Sequence, residues 1–277
     1  MSVATEITRK AKSNLAIALR ILPKARRDDM VVFYAFCRTV DDIADDPVEP
    51  KSLRRKKLAE WEEGLREGFF PKDNELGNAV VEMIGRYGIS PKWLTEIIDG
   101  CRMDLEVQSF GSWEELMKYN WKVAGVVGLV CTRIFGCVHK DSDKYAELLG
   151  NALQLTNILR DVGEDLANGG RIYLPVNDMI RFQYSERDLV GKVYDGRFLA
   201  MMSYHAQRAE YYFQEAQKMM PEIDERSLLP ARIMSDIYHD LLENIRAGEF
   251  RVFDKRFRVS KFRKVAILAK YLIAGRY

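Results

Sequence analysis

The chain has 277 residues with 43 Lys and Arg against 41 Asp and Glu, and a formal net charge of +2 leaves no excess of positive charge to neutralise a run of phosphates, which argues against nucleic acid as a partner. Hydrophobic residues make up 47% and charged residues 30%, with 18 Gly and 8 Pro, so disordered and collagen-like compositions are excluded and a globular protein remains. Cys37, Cys101, Cys131 and Cys137 form no CxxC pair, and His139, His205 and His239 no HxxxH, so buried free thiols suited to a reducing cytosol are expected and a His-rich zinc site is not.

Apolar residues recurring every three or four positions predict helices over 4–21, 24–46, 52–67, 75–88, 91–108, 113–137, 141–167, 197–219, 227–247 and 261–274, with the prolines marking the breaks. The first of these, within MSVATEITRKAKSNL, carries charges among its apolar positions and lacks the apolar run of a signal peptide, so a cytoplasmic protein is expected. Val31 to Ala44 (VVFYAFCRTVDDIA) is apolar around most of its circumference, as in a helix surrounded by others. Lys51 to Arg66, with Leu53, Leu58, Trp61 and Leu65 on one stripe of a charged helix, belongs on the outside. Val123 to Val138 is broken by Arg133 and falls short of the roughly 20 residues that cross a bilayer, so it reads as a buried helix. Tyr145 to Leu159 (YAELLGNALQLTNIL) is again apolar nearly all round and pairs with Val31 to Ala44 as the centre of the molecule. The tail Val265 to Gly275 carries Lys270 and can lie on a membrane surface but not span it. With no strand series, repeat or Gly/Ser linker, the expectation is one all-α domain over residues 1–277.

The two most apolar helices also carry the two acidic clusters, Asp41-Asp42-Ile43-Ala44-Asp45 and Asp161-Val162-Gly163-Glu164-Asp165. Desolvated carboxylates without partners cost several kcal/mol each, so such groups neutralise or hold cations. Residues four apart share a helix face, which pairs Asp41 with Asp45 and Asp161 with Asp165, and Asn157 adds an oxygen one turn earlier. Two such ladders offer the oxygen ligands that Mg²⁺ prefers and leave positions for water and substrate phosphate. Tyr34 and Arg38 precede Asp41 on its face, and Gln154 and Arg160 flank the second ladder, placing phosphate-binding donors nearby. One DxxxD alone is ordinarily a solvated face, Arg160 alone an ion-pair partner and Tyr34 alone a core tyrosine; the combination points to a diphosphate site.

Phe33 to Asp46 (FYAFCRTVDDIADD) and Gln154 to Pro175 (QLTNILRDVGEDLANGGRIYLP) resemble the two signature segments of the squalene and phytoene synthases. Tyr119 to Gly128 (YNWKVAGVVG) and Ala231 to Leu242 (ARIMSDIYHDLL) resemble two further stretches of that family, so the resemblance runs from about Leu22 to about Lys264. It implies an isoprenoid-synthase helical bundle around a central apolar cavity, and head-to-head joining of two prenyl diphosphates through an allylic cation and a cyclopropyl diphosphate. Carried over, Asp41, Asp45, Asp161 and Asp165 with Asn157 would hold Mg²⁺, while Tyr34, Arg38, Gln154 and Arg160 would contact diphosphate. Tyr119 would serve proton handling or cation stabilisation, and Tyr173 and Tyr238 would line the cavity; core packing accounts for these three equally well. Arg256, in the basic stretch Arg251 to Lys264, would reach the second diphosphate, although a membrane-surface patch explains the same charges. Gly125 and Gly128 are expected to permit close helix contact. Lys12 to Leu15 departs from the Ser-rich family stretch, which puts contacts from that segment in doubt.

The leading expectation is a Mg²⁺-dependent synthase joining two farnesyl (C15) diphosphates to presqualene diphosphate and onward to squalene. A phytoene synthase would use the same ladders with C20 chains. A head-to-tail synthase would show DDxxD at both sites, and a non-catalytic relative acting in assembly would lose the carboxylates that this chain keeps. NADPH use and oligomeric state are not legible. Contact with a membrane for release of an apolar product is compatible with the tail.

Overall fold

In the computed structural model, which describes residues 4–6, 18–106 and 109–274, most helices begin at a proline or at a side chain that accepts from the otherwise unpaired first amides. After a short turn at Leu19–Ile21, α1 (Lys24–Asp45) and α2 (Lys51–Glu67) follow Pro23 and Pro50, both in extended backbone. The Asn74 side chain caps α3 (Glu75–Tyr87), and α4 (Pro91–Glu106) opens on its own proline. Ser112 caps α5 (Trp113–Asn120), which runs through a π-helical turn at Trp121–Gly125 into α6 (Val126–Phe135). The long α7 (Asp141–Ala167) is followed by the short α8 (Val176–Arg181) and α9 (Glu186–Val190), then α10 (Gly196–Met219), α11 (Leu229–Ala247) and α12 (Lys261–Ala274).

The expected helices from residue 24 onward are present with ends shifted by a few residues, and strands are absent among the described residues apart from one isolated bridge, Ser109 to Ile172. Two differences have physical causes. The span 113–137 is interrupted by the π turn, whose wider winding leaves no trace in a 3.6-residue pattern. The short α8 and α9 are too brief to show periodicity; the Ser185–Asp188 capping box marks the start of α9, and Pro175 that of α8. Of the expected 4–21 helix, 7–17, with Lys12 to Leu15, lies outside the described residues.

Two apolar clusters fill the interior. One gathers Phe33, Phe36, Trp61, Leu94 and Ile98 from α1, α2 and α4; the other gathers Leu149, Leu155, Phe198, Met202 and Ile237 from α7, α10 and α11. The apolar stripe of α2 packs Leu58, Trp61 and Leu65 inward, whereas Leu53, expected on the same stripe, is 40% exposed in the first turn of the helix. A buried carboxylate, Asp224, fixes the start of α7 by accepting from the Val138 and His139 amides and, at 2.6 Å, from the Ser142 hydroxyl. All four cysteines are free. No helix among the described residues is long and apolar enough to cross a membrane.

Candidate active site

A cavity of about 450 Å³ separates the faces of α1 and α7, with Met30, Phe33, Phe135, Ala146 and Leu149 toward its closed end. From Met30 to Asp41, α1 climbs roughly 16 Å at about 1.5 Å per residue, which sets the depth from floor to mouth. The helices can approach this closely because Gly128 and Gly150 lack side chains. A Cβ on Gly128 would stand 2.7 Å from the Ala146 carbonyl, and one on Gly150 2.7 Å from that of Ala124. Gly125 stands at the same contact, its amide nitrogen 3.2 Å from where a Gly150 Cβ would lie, and a Cβ of its own would meet the Trp121 ring at 2.8 Å.

Seven of the expected site residues line this cavity: Tyr34, Arg38 and Asp41 from α1, Tyr119 from α5, Gln154 and Asn157 from α7, and Tyr238 from α11. Asp45, Arg160, Asp161, Asp165 and Arg256 gather around its mouth through the contacts below, and Tyr173, expected to line the cavity, stands outside the lining with its hydroxyl on Asp104 at 2.7 Å. The ladders thus occupy a rim rather than the depth of the core, with Asp41 45% and Asp45 43% accessible at the side chain and Asp161 only 15%.

Each carboxylate has a cationic neighbour. Arg38 donates to Asp41 at 2.9 Å and lies 2.5 Å from Asp42. Arg160 forks onto Asp161, its Nε at 2.7 Å, and Arg256 reaches Asp161 at 3.3 Å and Glu164 at 3.0 Å. Arg256 arrives there because Gly163 lets the loop before it close on α7; a Cβ on Gly163 would meet the Val252 carbonyl at 2.6 Å. The cations do not cancel the crowding. Desolvation, then Asp45, push Asp41 up to about 7 against Arg38; desolvation, then Asp161, push Asp165 up to about 7 against Arg171.

Two residues of the site escaped the sequence reading. Asp104 of α4 lines the cavity, accepts from the Tyr173 hydroxyl at 2.7 Å and from the Tyr119 hydroxyl at 3.1 Å, and raises both Asp41 and Asp165. Arg171 binds Asp45 at 2.6 Å, stands 3.9 Å from Asp104 and lowers Asp165, so it ties the first ladder to the second. The segment after α7 carries Arg171 and Tyr173 inward because it pairs with 109–111: Ile172 bridges Ser109, and the Val176 amide donates to the Phe110 carbonyl at 2.8 Å. Asp104 was legible in principle, since a carboxylate three residues after Cys101 and seven after Ile97 falls on the apolar face of its own helix. Arg171, inside a quoted signature segment, had no such mark.

The donor set suits a hard divalent cation. The Oδ1 of Asn157 is buried in the cavity wall without a hydrogen-bond partner, and the carboxylates beyond it are held where their charge is disfavoured. The ladders do not close a cage alone. The group of three metal-competent side chains gathered within 4.8 Å among the described residues is elsewhere, at Glu210, His239 and Glu243, and Arg246 already pairs with both glutamates. Oxygens that face a cavity separately leave coordination positions for water and substrate phosphate, as Mg²⁺ requires.

Residues 8–263 match the family model described as squalene/phytoene synthase. The phytoene synthase of Mycobacterium tuberculosis is 34% identical over 99% of this chain and 90% of its own length. The 15-cis-phytoene synthase of Synechococcus elongatus is 32% identical over 95% of this chain and 89% of its own. Among solved structures, a dehydrosqualene synthase in complex with ligand superposes with a TM-score of 0.86 at 28% identity, covering 99% of this chain and 96% of that one. The squalene synthase HpnC from Alicyclobacillus acidocaldarius gives 0.77 at 25% identity, covering 90% and 93%.

Proposed function

On the premise that this chain belongs to the squalene/phytoene synthase family, whose members condense two prenyl diphosphates head to head, we propose that it is a Mg²⁺-dependent phytoene-type synthase that joins two C20 diphosphates. The observation that carries the chemistry is the unpartnered Asn157 oxygen, one turn before the Asp161–Asp165 ladder, in the wall of an apolar cavity that Asp41 also lines. Bound Mg²⁺ would supply the positive charge that draws diphosphate off the first substrate. Asp41, Asp45, Asn157, Asp161 and Asp165 would hold it. Arg38, Arg160 and Arg256 lie against those carboxylates, so diphosphate at the mouth meets guanidinium groups from both sides. Met30, Phe33, Val127 and Leu149 would keep water from the allylic cation while the double bond of the second chain attacks it; the resulting cation closes to the cyclopropyl diphosphate by losing one proton.

The preference for C20 rests on the phytoene synthases, at 32–34% identity over nearly the whole chain. The C15 expectation is kept as the second reading, favoured by the likeness to the dehydrosqualene synthase structure. Incubation with C15 and with C20 diphosphate, with and without Mg²⁺ and NADPH, followed by product analysis, tests both. A C20-derived hydrocarbon that needs Mg²⁺ but no NADPH is expected. Turnover of C15 alone gives the second reading, and no diphosphate release from either substrate points to a non-catalytic member.

A hydrocarbon product leaves water for an apolar phase, and α12 supports peripheral contact with a membrane. Phe262, 90% exposed, shares an outward apolar stripe with Val265 and Ile273, and Lys261 and Lys264 stand near its border.

A further inference from the structure

We propose that Asp104 is the base that ends the reaction, taking the proton lost by the rearranged carbocation, with the Tyr119 hydroxyl as its contact to the hydrocarbon chain. The inference rests on the head-to-head reading above and deepens it, because it assigns termination to proton loss rather than hydride addition.

Among the described residues Asp41 and Asp104 are the two carboxylates that line the cavity, and Asp41 belongs to a ladder assigned above to Mg²⁺. Asp104 stands on a separate helix, and its two oxygens accept one phenol each, Tyr173 at 2.7 Å and Tyr119 at 3.1 Å. Tyr173 lies outside the cavity lining, whereas Asp104 and Tyr119 both face the cavity. The Tyr119 ring packs in a cluster of three with Phe110 and Tyr173, at 5.2 and 5.4 Å between centroids, with Phe110 and Tyr173 5.8 Å from each other. The other candidates for a base are weaker. Burial pushes the cavity thiols Cys37, Cys101 and Cys131 up, so they stay protonated near neutral pH. Burial also pushes Asp104 up, but only to about 6, against the pull of Tyr173, Arg171 and Tyr119. It is therefore ionised near neutral pH and more basic than an ordinary carboxylate.

In the step, the C–H bond beside the cationic carbon breaks and its electron pair becomes the second bond of a new C=C. The proton passes to the Asp104 carboxylate, directly or by exchange through the Tyr119 hydroxyl, and leaves to water when the product departs. No electrons enter or leave, so no reductant is consumed.

The test is the partition of products in D104N and D104E supplied with the prenyl diphosphate that the native enzyme turns over, with Mg²⁺ and without NADPH. The ratio of hydrocarbon to cyclopropyl diphosphate and water-captured alcohols should fall about 100-fold in D104N, the usual scale for a lost general base, and recover in part in D104E. A residue that only supported the fold would lower all products together. An unchanged ratio in D104N, or an equal loss of every product in both variants, overturns the inference. If the native enzyme yields its hydrocarbon only with NADPH, the failure lies with the phytoene-type reading instead.

Discussion

At the scale of single residues, the site separates groups that bind from groups that merely fold. Asp161 lies between Arg160 and Arg256, so D161N keeps the shape of the side chain while removing the charge that an ion would need. Loss of a metal ligand at several kcal/mol of transition-state charge corresponds to about 100-fold or more in turnover, and D41N should behave alike with an unchanged circular dichroism spectrum. Near-native rates in either would end the metal assignment. Asn157 gives a sharper test because its Oδ1 has no partner to lose. N157L should therefore leave Tm within a few degrees of the native value while lowering the Mg²⁺ response of turnover; a large fall in Tm with normal Mg²⁺ dependence would make Asn157 structural. The donor types and their spacing were legible because a four-residue interval puts two side chains on one helix face whatever surrounds the helix. Asp104 and Arg171 were not read, since their importance lies in meeting residues 15, 69 and 126 positions away.

At the scale of elements, the helices follow from periodicity, and their closeness follows from glycine. Gly128 sits where a Cβ would come within 2.7 Å of a backbone carbonyl that has no rotamer by which to move aside. G128A should cost about 1–3 kcal/mol by overpacking, and each kcal/mol lowers Tm by roughly 2–4 °C in a chain of this size. Thermal unfolding measures it, and an unchanged Tm would show that α6 and α7 have slack between them. The stretch from Tyr119 to Gly128 reads in sequence as plain helix, yet its π turn stands between Tyr119 and the glycine contact. Periodicity assigns a helix face but not the extra residue that widens one turn.

At the scale of the whole molecule, folding crowds acidic groups from three helices around one opening. Asp41 and Asp165 rise from 3.8 to about 7 and Asp104 to about 6, so the folded chain binds more protons than the unfolded chain between about pH 4 and 7. Stability contributed by their protonated forms is complete below the unfolded value and is lost as pH rises through the folded one. The partial exposure of Asp41 weakens its share. In chelator, Tm should therefore decline from pH 5 to pH 8, and Mg²⁺ with pyrophosphate should raise it more at pH 8 than at pH 5, where protons compete for the same oxygens. An equal Mg²⁺ effect at both values would separate the raised carboxylates from the metal.

The amino-acid sequence alone determined that the chain is helical, where most helices run, that two apolar helices carry oxygen ladders, and which family the motifs resemble. Each of these depends on residues a few positions apart, where helix geometry converts spacing into direction. Tertiary structure decided that the ladders form a rim and not a buried core, that Gly163 admits the loop bearing Arg256, and that Asp104, Tyr119, Tyr173 and Arg171 meet. Those depend on how helices and the loop after α7 dock, and docking is governed by contacts among residues far apart in the chain, which no local pattern encodes.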